Sequence, residues 1–158
     1  MQKLPENQAV ARGKYLPIST KKSVDICLAL KGKTPSRAKQ YLLNVLAHKE
    51  AIPVRRHKKD IPHKVGMAGG IYPRNATLHI LKIIDLAEKN AHFKGLDTTH
   101  LIIKNIRADK AGRPFHTGRQ GRRAMKRSHI EVIVEEYKTG NVQKKEKKTE
   151  KPKAEKKQ

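Results

Sequence analysis

Residues 113–127, RPFHTGRQGRRAMKR, contain six lysine or arginine side chains and no acidic one. Arginine binds phosphate through two parallel hydrogen bonds and stacks on nucleobases. Gly112, Gly118 and Gly121 let the backbone approach a partner and bend without steric cost. Phe115 is the only aromatic residue in this run, so the run cannot bury itself. Its composition therefore predicts a polyanionic partner around which the run becomes ordered.

Catalytic and metal-binding patterns are not found in the sequence. The histidines follow no HExxH or other ligand spacing, and a single cysteine, Cys27, cannot build a thiolate cluster. The glycine-rich stretch 66–70 lacks the spacing and the lysine of a nucleotide-phosphate loop. No paired-carboxylate spacing is obvious among the aspartates. We therefore expect a binding protein, with no catalytic residue, metal site or cofactor. The residues considered are His48, His57, His63, His79, His92, His100, His116 and His129, and Asp25, Asp60, Asp85, Asp97 and Asp109.

The overall charge favours a nucleic acid as the partner. The chain carries 37 Lys and Arg against 14 Asp and Glu, a formal net charge of +23 in 158 residues. An excess of this size repels itself in a compact state. A single charged run is usually a solvated face, but here basic residues occur in nearly every segment.

Folded RNA fits the sequence better than DNA or an unpaired strand. A DNA-reading helix would present polar residues on its best-defined face, whereas the predicted helices have apolar ones. The chain has four Tyr, two Phe and no Trp, and no aromatic pair of the kind that stacks single-stranded bases. The remaining mode is recognition of a folded RNA through its phosphates and its shape. The cations predicted to contact RNA are Arg12, Lys14, Lys21, Lys22, Lys33, Arg37, Arg55, Arg56, Lys58, Lys59, Lys64, Arg74, Lys110, Arg113, Arg119, Arg122, Arg123, Lys126 and Arg127.

Composition also bounds the compartment and the size of the core. One cysteine excludes an intrachain disulfide and favours a reducing, cytoplasmic location, with Cys27 as a small buried hydrophobe. No run approaches the roughly 18 apolar residues of a membrane span, and the first residues lack the apolar centre of a signal peptide. We expect no membrane contact and no homo-oligomer. Hydrophobic residues make up 36% of the chain, enough for one domain with a modest core.

Three helices are predicted from capping signals and apolar periodicity. Ser19 is the N-cap of the first helix, which runs to about Leu30 and ends at Gly32. Thr34 caps the second helix with Pro35 at its first position. The third helix runs over 73–94. Each helix has a predicted buried face: Val24, Cys27, Leu28 and Lys31 in the first, Ala38, Tyr41, Leu42, Val45 and Leu46 in the second, and Ala76, Ile80, Ile83, Ile84, Ala87 and Ala91 in the third. Arg37 and Lys39 of the second helix are predicted to face outward. Gly95 is predicted to end the third helix.

The remaining segments are predicted to be strands, loops and a tail. Strands at 99–107 and 128–136 form a hairpin, 99–136, whose basic tip loop is 108–127. Segment 51–71 has too many prolines and glycines for a regular element, and its RRHKK cluster suggests that RNA holds it. In the return strand Ile130, Val132 and Val134 take one face and His129, Glu131 and Glu135 the other.

The predicted fold class is α+β, with three helices packed on a small antiparallel β-sheet and one long protruding β-hairpin. Residues 1–17 form an extended N-terminal segment that could add an edge strand. Residues 18–137 form a single α+β domain that binds RNA. Residues 138–158 hold nine Lys and three Glu without a large apolar residue, which predicts a disordered tail.

Four stretches in order along the chain resemble the large-ribosomal-subunit protein family called L-twenty-two in bacteria and L-seventeen in eukaryotes. They are ARGKYLPIS at 11–19, KKSVDICLALKGKTPSRAKQYLLNVL at 21–46, LHILKIIDLAEKNAHFKGLD at 78–97 and KRSHIEVIVEE at 126–136. Loop 51–71 is longer than in the bacterial pattern and is similar to the archaeal and eukaryotic form. The tip residues at 113–116 differ from the bacterial tip.

The resemblance implies an rRNA-binding protein near the exit of the polypeptide tunnel, whose hairpin passes inward through rRNA and lines the tunnel wall. It implies neighbouring ribosomal proteins as partners, and contact between the tip and nascent chains. Arg122, Arg123, Lys126 and Arg127 would hold rRNA along the hairpin. The tip would run from about Gly112 to Arg119, with a tunnel lining of Gly112, Arg113, Pro114, Phe115, His116, Thr117 and Gly118.

Two other functions fit the residues alone. A free nucleoid or chromatin-type DNA-binding protein would also be small and basic, and cofractionation with large subunits separates it from a ribosomal protein. An RNA-processing enzyme using His116 or His129 as a base would cleave labelled RNA, and that activity would disappear when either histidine was replaced.

Overall fold

A computed structural model describes residues 5–56 and 60–137, and the structural statements below refer to these ranges. The elements in chain order are β1 (Gln8–Leu16), α1 (Thr20–Leu30), α2 (Pro35–Leu46), β2 (Ile52–Pro53), β3 (Gly70–Ile71), α3 (Arg74–Phe93), β4 (Leu101–Lys110) and β5 (Ser128–Glu136), with 3-10 turns at Thr98–His100 and Gly118–Gln120. Three helices packed with a small antiparallel sheet confirm the α+β class. The predicted tail at 138–158, and Lys58 and Lys59, lie outside the described residues.

The main sheet has the strand order β1-β5-β4, and both of its strand pairs are antiparallel. The central strand, β5, spans the residues predicted for it, and Ile130, Val132 and Val134 are buried on one face as predicted. β4 differs from its prediction at both ends. It starts at Leu101 because Thr98–His100 form a 3-10 turn, and it continues to Lys110, which pairs with Ser128. The loop therefore begins at residue 111.

β1 supplies the third strand from the N-terminal segment. It pairs with β5 from Gln8 opposite Glu135 to Leu16 opposite Ser128, with an irregularity between Gly13 and Leu16. Tyr15 lies in this bulge with a φ of 53°, a left-handed conformation that few non-glycine residues adopt.

α1 begins and ends as predicted, but its predicted buried face was only partly right, since Cys27 is buried and Val24 half-buried. Ser23, Asp25, Ile26, Cys27 and Leu30 are buried, whereas Leu28 and Lys31 are exposed. Two polar residues can be buried because each is hydrogen-bonded. Ser23 donates to the Ser19 carbonyl, and Asp25 accepts from the backbone N–H of Arg55 at 3.3 Å. Cys27 is buried as predicted, and burial raises the pKa of its thiol to about 12.

α2 and α3 follow the sequence prediction closely. Thr34 accepts from the Arg37 N–H at the start of α2, and all six predicted residues of α3 are buried. Gly95 ends α3 with a φ of 76°. The outward position predicted for Lys39 was wrong, because its ammonium group lies 2.6 Å from Asp85 and also pairs with Glu88, both on α3.

The segment 51–71 is more regular at its ends than predicted. β2 and β3 pair antiparallel, with Ile52 opposite Ile71 and Pro53 opposite Gly70. Pro53 has no backbone N–H to donate. It is tolerated because this ladder is only two residues long and needs no hydrogen bond from that position. Ile52 belongs to the core and Ile71 packs against it, so both ends of the loop are anchored to the core.

The hydrophobic core lies between the inner face of the sheet and the helices. Its largest fully buried side chains include Ile26, Leu42, Ile80, Leu101 and Ile130, contributed by three helices and two strands. Within the described ranges no helix combines the length and the apolar character needed to cross a bilayer.

Candidate nucleic-acid interface

Backbone pairing continues from β4 and β5 into the basic run. The Ala111 N–H donates to the Arg127 carbonyl at 3.1 Å, and Phe115 forms an isolated bridge with Ala124. Beyond them, the His116 N–H donates to the Arg123 carbonyl at 2.9 Å. The chain therefore presents the predicted cations on a paired ribbon.

The far end of this ribbon is a turn around an open concavity. Gly118 has a φ of 68° and accepts from the Gly121 N–H at 2.9 Å, which closes the 3-10 turn. The concavity has a volume of about 620 Å³ and is lined by Gly118, Arg119, Gln120, Gly121, Arg122 and Arg123. Three guanidinium groups around a solvent-open space form a surface suited to phosphate.

The residues predicted as the tunnel-lining tip lie on this ribbon. Gly112, Arg113 and Pro114 are exposed, Phe115 is 66% exposed, and His116 is half-buried. The Phe115 ring is therefore accessible to a partner that covers the ribbon. Thr117 and Gly118 are also exposed.

Most of the other predicted cations are exposed around the body of the protein. This group comprises Lys14, Lys21, Lys22, Arg37, Arg55, Arg56, Lys64, Arg74 and Lys110. Of the basic residues within the run, Arg113, Arg119, Arg122, Arg123 and Lys126 are exposed and Arg127 is half-buried.

Four of the predicted cations contact other groups of the protein, and one of them is Lys64, whose ammonium group lies 5.6 Å from the Tyr72 ring centroid. The Lys33 ammonium group lies 4.0 Å from the Tyr41 ring centroid, and burial together with Arg37 lowers the pKa of Lys33. Arg127 donates to the Tyr15 carbonyl at 3.5 Å. Arg12 donates to the Glu131 carboxylate at 2.6 Å. These contacts place the side chains against the body of the protein.

Sequence reasoning missed the role of Arg107 and the position of Glu131. Glu131 lies on the outer face of β5, and its carboxylate pairs with Arg12 on one side and with Arg107, at 2.6 Å, on the other. The period-two pattern assigned Glu131 correctly to the face away from the core. It could not show that the side chain is covered, because the neighbours on β1 and β4 come from distant parts of the chain.

A second contact on the same face joins Tyr15 and His129. The Tyr15 N–H donates to Nδ1 of His129 at 3.2 Å, and the two rings meet edge to face with centroids 4.9 Å apart. The two residues are 114 positions apart, so no local sequence pattern could have paired them.

Possible metal ligands do not converge in the described part of the chain. No group of three or more His, Cys, Asp or Glu side chains within residues 5–56 and 60–137 is arranged to hold a metal ion.

Comparison with known proteins gives a consistent result. The sequence profile of the family described as "Ribosomal protein L22p/L17e" matches residues 11–135. Proteins named "Large ribosomal subunit protein uL22" from three archaea are similar to the chain. The protein of Methanopyrus kandleri is 41% identical over 141 residues, covering 83% of this chain and 88% of the relative. The protein of Methanococcus aeolicus is 36% identical over 141 residues, covering 84% and 92%. That of Archaeoglobus fulgidus is 37% identical over 143 residues, covering 83% and 92%.

Proposed function

The chain belongs to the ribosomal protein L22p/L17e family, a family of structural proteins of the large ribosomal subunit, and from this premise we propose that it binds large-subunit rRNA and supports subunit assembly. In this proposal the β4–β5 hairpin passes through rRNA and lines the polypeptide exit tunnel. Neighbouring ribosomal proteins contact the body, and the nascent chain contacts the tip. Family membership supports a structural role in place of a catalytic one.

One observation carries the proposal of rRNA binding: the cations of the basic run form no ion pair with the acidic residues that the structure describes. Ion pairs among residues 5–56 and 60–137 involve the cations Arg12, Lys39, Lys104 and Arg107, and none of these belongs to residues 113–127. Uncompensated guanidinium and ammonium groups on an exposed ribbon attract phosphates and release counterions on binding.

The dimensions of the hairpin support a role inside a thick RNA layer. Pairing extends from Leu101 opposite Glu136 to Phe115 opposite Ala124. At about 3.3 Å per residue, the strand from 101 to 115 spans at most roughly 45 Å. A ribbon of that length, apolar at its base and basic at its end, can carry side chains well away from the body.

Salt dependence tests the phosphate contacts. If the full chain neutralises on the order of ten phosphates, its affinity for an rRNA fragment falls by orders of magnitude over a few-fold rise in salt. A variant with Arg119, Arg122 and Arg123 replaced by glutamine should show a shallower slope. A matched variant with Lys39, Lys104 and Lys89 replaced removes the same number of cations. The first two are already paired with carboxylates, and Lys89 is exposed on α3, outside the predicted RNA-binding residues. This matched variant should change the slope less, and binding that is flat with salt would contradict the proposal.

Deletion of residues 112–121 tests the role of the hairpin. Ala111 is hydrogen-bonded to Arg127, so residues 122–126 can close the shortened hairpin without disturbing β4 or β5. The variant should fold and cosediment with large subunits in a sucrose gradient, while density for the tunnel wall is altered. Loss of folding would count against a hairpin that extends from the body. Absence of the wild-type chain from the large-subunit fractions would favour a free DNA-binding protein.

A further inference from the structure

We infer that the open face of the three-stranded sheet is a second RNA site, separate from residues 111–127, which takes a short unpaired segment. Arg12 and Arg107 bind its phosphate, and Tyr15 stacks on an adjoining base. Glu131 is the positioning residue that holds both arginines. This inference rests on the proposed function and names a second set of contacts for it.

The two arginines are placed by the register of the sheet. Arg12 on β1 and Arg107 on β4 are both direct partners of Glu131 on β5, so the three residues form one row across the strands. Two inter-strand spacings separate the arginine backbones by about 10 Å. Their side chains converge from opposite sides on the single carboxylate between them.

The geometry of the ion pairs leaves the phosphate-binding edges of both arginines available. Each arginine meets Glu131 through Nε, at 2.6 Å in both cases. No hydrogen bond joins their terminal nitrogens to the residues that the structure describes, and Nε of Arg107 also lies 3.5 Å from Oδ2 of Asp109. The arginine side chains are 58% and 60% exposed, while that of Glu131 is 10% exposed. The carboxylate is therefore covered by two guanidinium groups that remain open to solvent.

Glu131 stays ionised at neutral pH and can anchor the arginines throughout. Burial alone would raise its pKa, but the hydrogen bond from Arg12 and the charge of Arg107 outweigh burial and lower it. Side chains fixed in this way lose less conformational freedom when a phosphate binds.

Tyr15 provides an exposed ring next to this pair. Both of its backbone groups are held, since the N–H donates to His129 and the carbonyl accepts from Arg127. These contacts keep a non-glycine residue in the left-handed region while its side chain remains exposed, with 61% of the residue accessible to solvent. An exposed ring on a fixed backbone is a stacking platform for a base, and each such stack is sequence-tolerant.

A shallow concavity of about 240 Å³ lies beside the arginine pair and extends to His129, whose ring contacts that of Tyr15. Its charged lining comprises Arg12, Lys14, Arg107, Asp109 and Glu131, with His129 beside them. Three cations and two anions leave a local charge of only +1 with His129 neutral. Binding at this face must therefore depend on the positioned arginine donors and on stacking more than on net charge. An experiment can for that reason distinguish it from binding at the basic run.

Replacement of Glu131 by glutamine distinguishes positioning from bulk electrostatics. The change removes one negative charge, so electrostatics alone predicts tighter RNA binding, whereas loss of the anchor predicts weaker binding. The matched control is Glu6→Gln, which makes the same charge change at an exposed residue away from the row. The probe is a fluorescein-labelled oligouridylate of about ten nucleotides, read by anisotropy with the full-length chain at about 0.15 M salt. The measurements are made in a background with Arg119, Arg122 and Arg123 replaced by glutamine, so that the basic run does not mask the result.

Glu131→Gln should weaken binding, and Glu6→Gln should leave it unchanged or strengthen it slightly. Equal effects of the two variants would overturn the positioning role. Because Glu131→Gln disturbs three strands, its thermal unfolding is measured alongside. Tyr15→Leu and Tyr15→Phe keep the test valid if Glu131→Gln does not fold.

Tyr15→Leu should weaken oligouridylate binding by about fivefold or more, and Tyr15→Phe should retain it, because a base stack needs only the ring. Inorganic polyphosphate, which has phosphates and no bases, should bind both variants equally. Equal oligouridylate affinity for the two variants would overturn the base contact. If the base contact is overturned in this way while the wild-type chain still cosediments with large subunits, this inference is wrong and the proposed function is unaffected. Loss of cosedimentation by the wild-type chain would overturn the proposed function as well.

Discussion

Gly13 packs so closely against Ile83 that a Cβ atom built on Gly13 would lie 2.6 Å from Cδ1 of Ile83. Gly13 belongs to β1, and Ile83 is a buried residue of α3. Cδ1 of Leu16 would lie 2.9 Å from the same Cβ. α3 therefore approaches β1 this closely because residue 13 has no side chain. Since Arg12 and Lys14 flank Gly13, the contact also fixes the strand that carries two predicted RNA-binding cations.

Gly13→Ala should destabilise the protein by about 1 kcal/mol, because the ends of two packed side chains must move to admit a methyl group. Gly112→Ala is the matched control, since a Cβ there meets no atom within 4 Å. Urea unfolding followed by circular dichroism measures both. Equal midpoints for the two variants would show that α3 and β1 are not in the close contact described.

The sequence predicted those parts of the fold that depend on local signals. α2 and α3 were predicted well because each has a single apolar stripe. α2 also has the Thr34–Pro35 start signal, and α3 has a clear end at Gly95. The buried face of α1 was predicted only in part because Ser23 and Asp25 are buried through hydrogen bonds to Ser19 and Arg55. Hydropathy cannot anticipate a polar residue whose partner lies thirty positions away.

The candidate site, like the fold, was predicted only where its residues are close together in the sequence. The basic run is contiguous in sequence, so its cations and glycines could be recognised without a structure. The row of Arg12, Glu131 and Arg107 could not, because it depends on β5 lying between β1 and β4. The assignment of individual cations to RNA stays a prediction.

Lys39 of α2 pairs with two acidic residues of α3, so its replacement should lower the stability of the contact between the two helices. Lys39→Gln breaks the pairs with Asp85 and Glu88 and should cost up to about 1 kcal/mol, with less effect at high salt because all three side chains are partly exposed. Burial alone would lower the pKa of Lys39, but hydrogen bonds to both carboxylates raise it, so the pairs persist through neutral pH. Chemical denaturation at two salt concentrations tests this. Lys82→Gln removes an exposed lysine of α3 and is the control, and an equal loss there would mean that the pairs add no stability.

Glu135 should make stability depend on acid pH. Hydrogen bonds from Lys104, at 2.8 Å, and from Gln8, at 3.0 Å, lower its pKa below 4.5. Because the folded state holds the ionised form, this contribution is present above about pH 4.5 and is lost as the pH falls through the lowered folded pKa. The difference in free energy of unfolding between the wild-type chain and Glu135→Gln should therefore shrink with acidification.

The carboxyl carbon of Glu135, followed by NMR against pH, gives the folded pKa directly. Lys104→Met removes the first donor and should raise that pKa, leaving the Gln8 contact in place. A stability difference that stays constant from neutral pH to pH 3 would contradict the lowered pKa.

Phe115 should change its surroundings when the basic run meets RNA. The chain has no tryptophan, so Phe115→Trp introduces a single fluorescent reporter at a residue that is 66% exposed. In the free protein its emission should be that of a solvated indole, quenched readily by acrylamide. Addition of an rRNA fragment should shift the emission to the blue and protect it from quenching, because a ring beside uncompensated cations becomes enclosed when phosphates pack around them. Phe93→Trp is the control, at a residue that is 93% exposed at the end of α3, outside the hairpin. If both reporters respond equally to RNA, the protein binds RNA through general charge attraction, and RNA does not contact the hairpin preferentially.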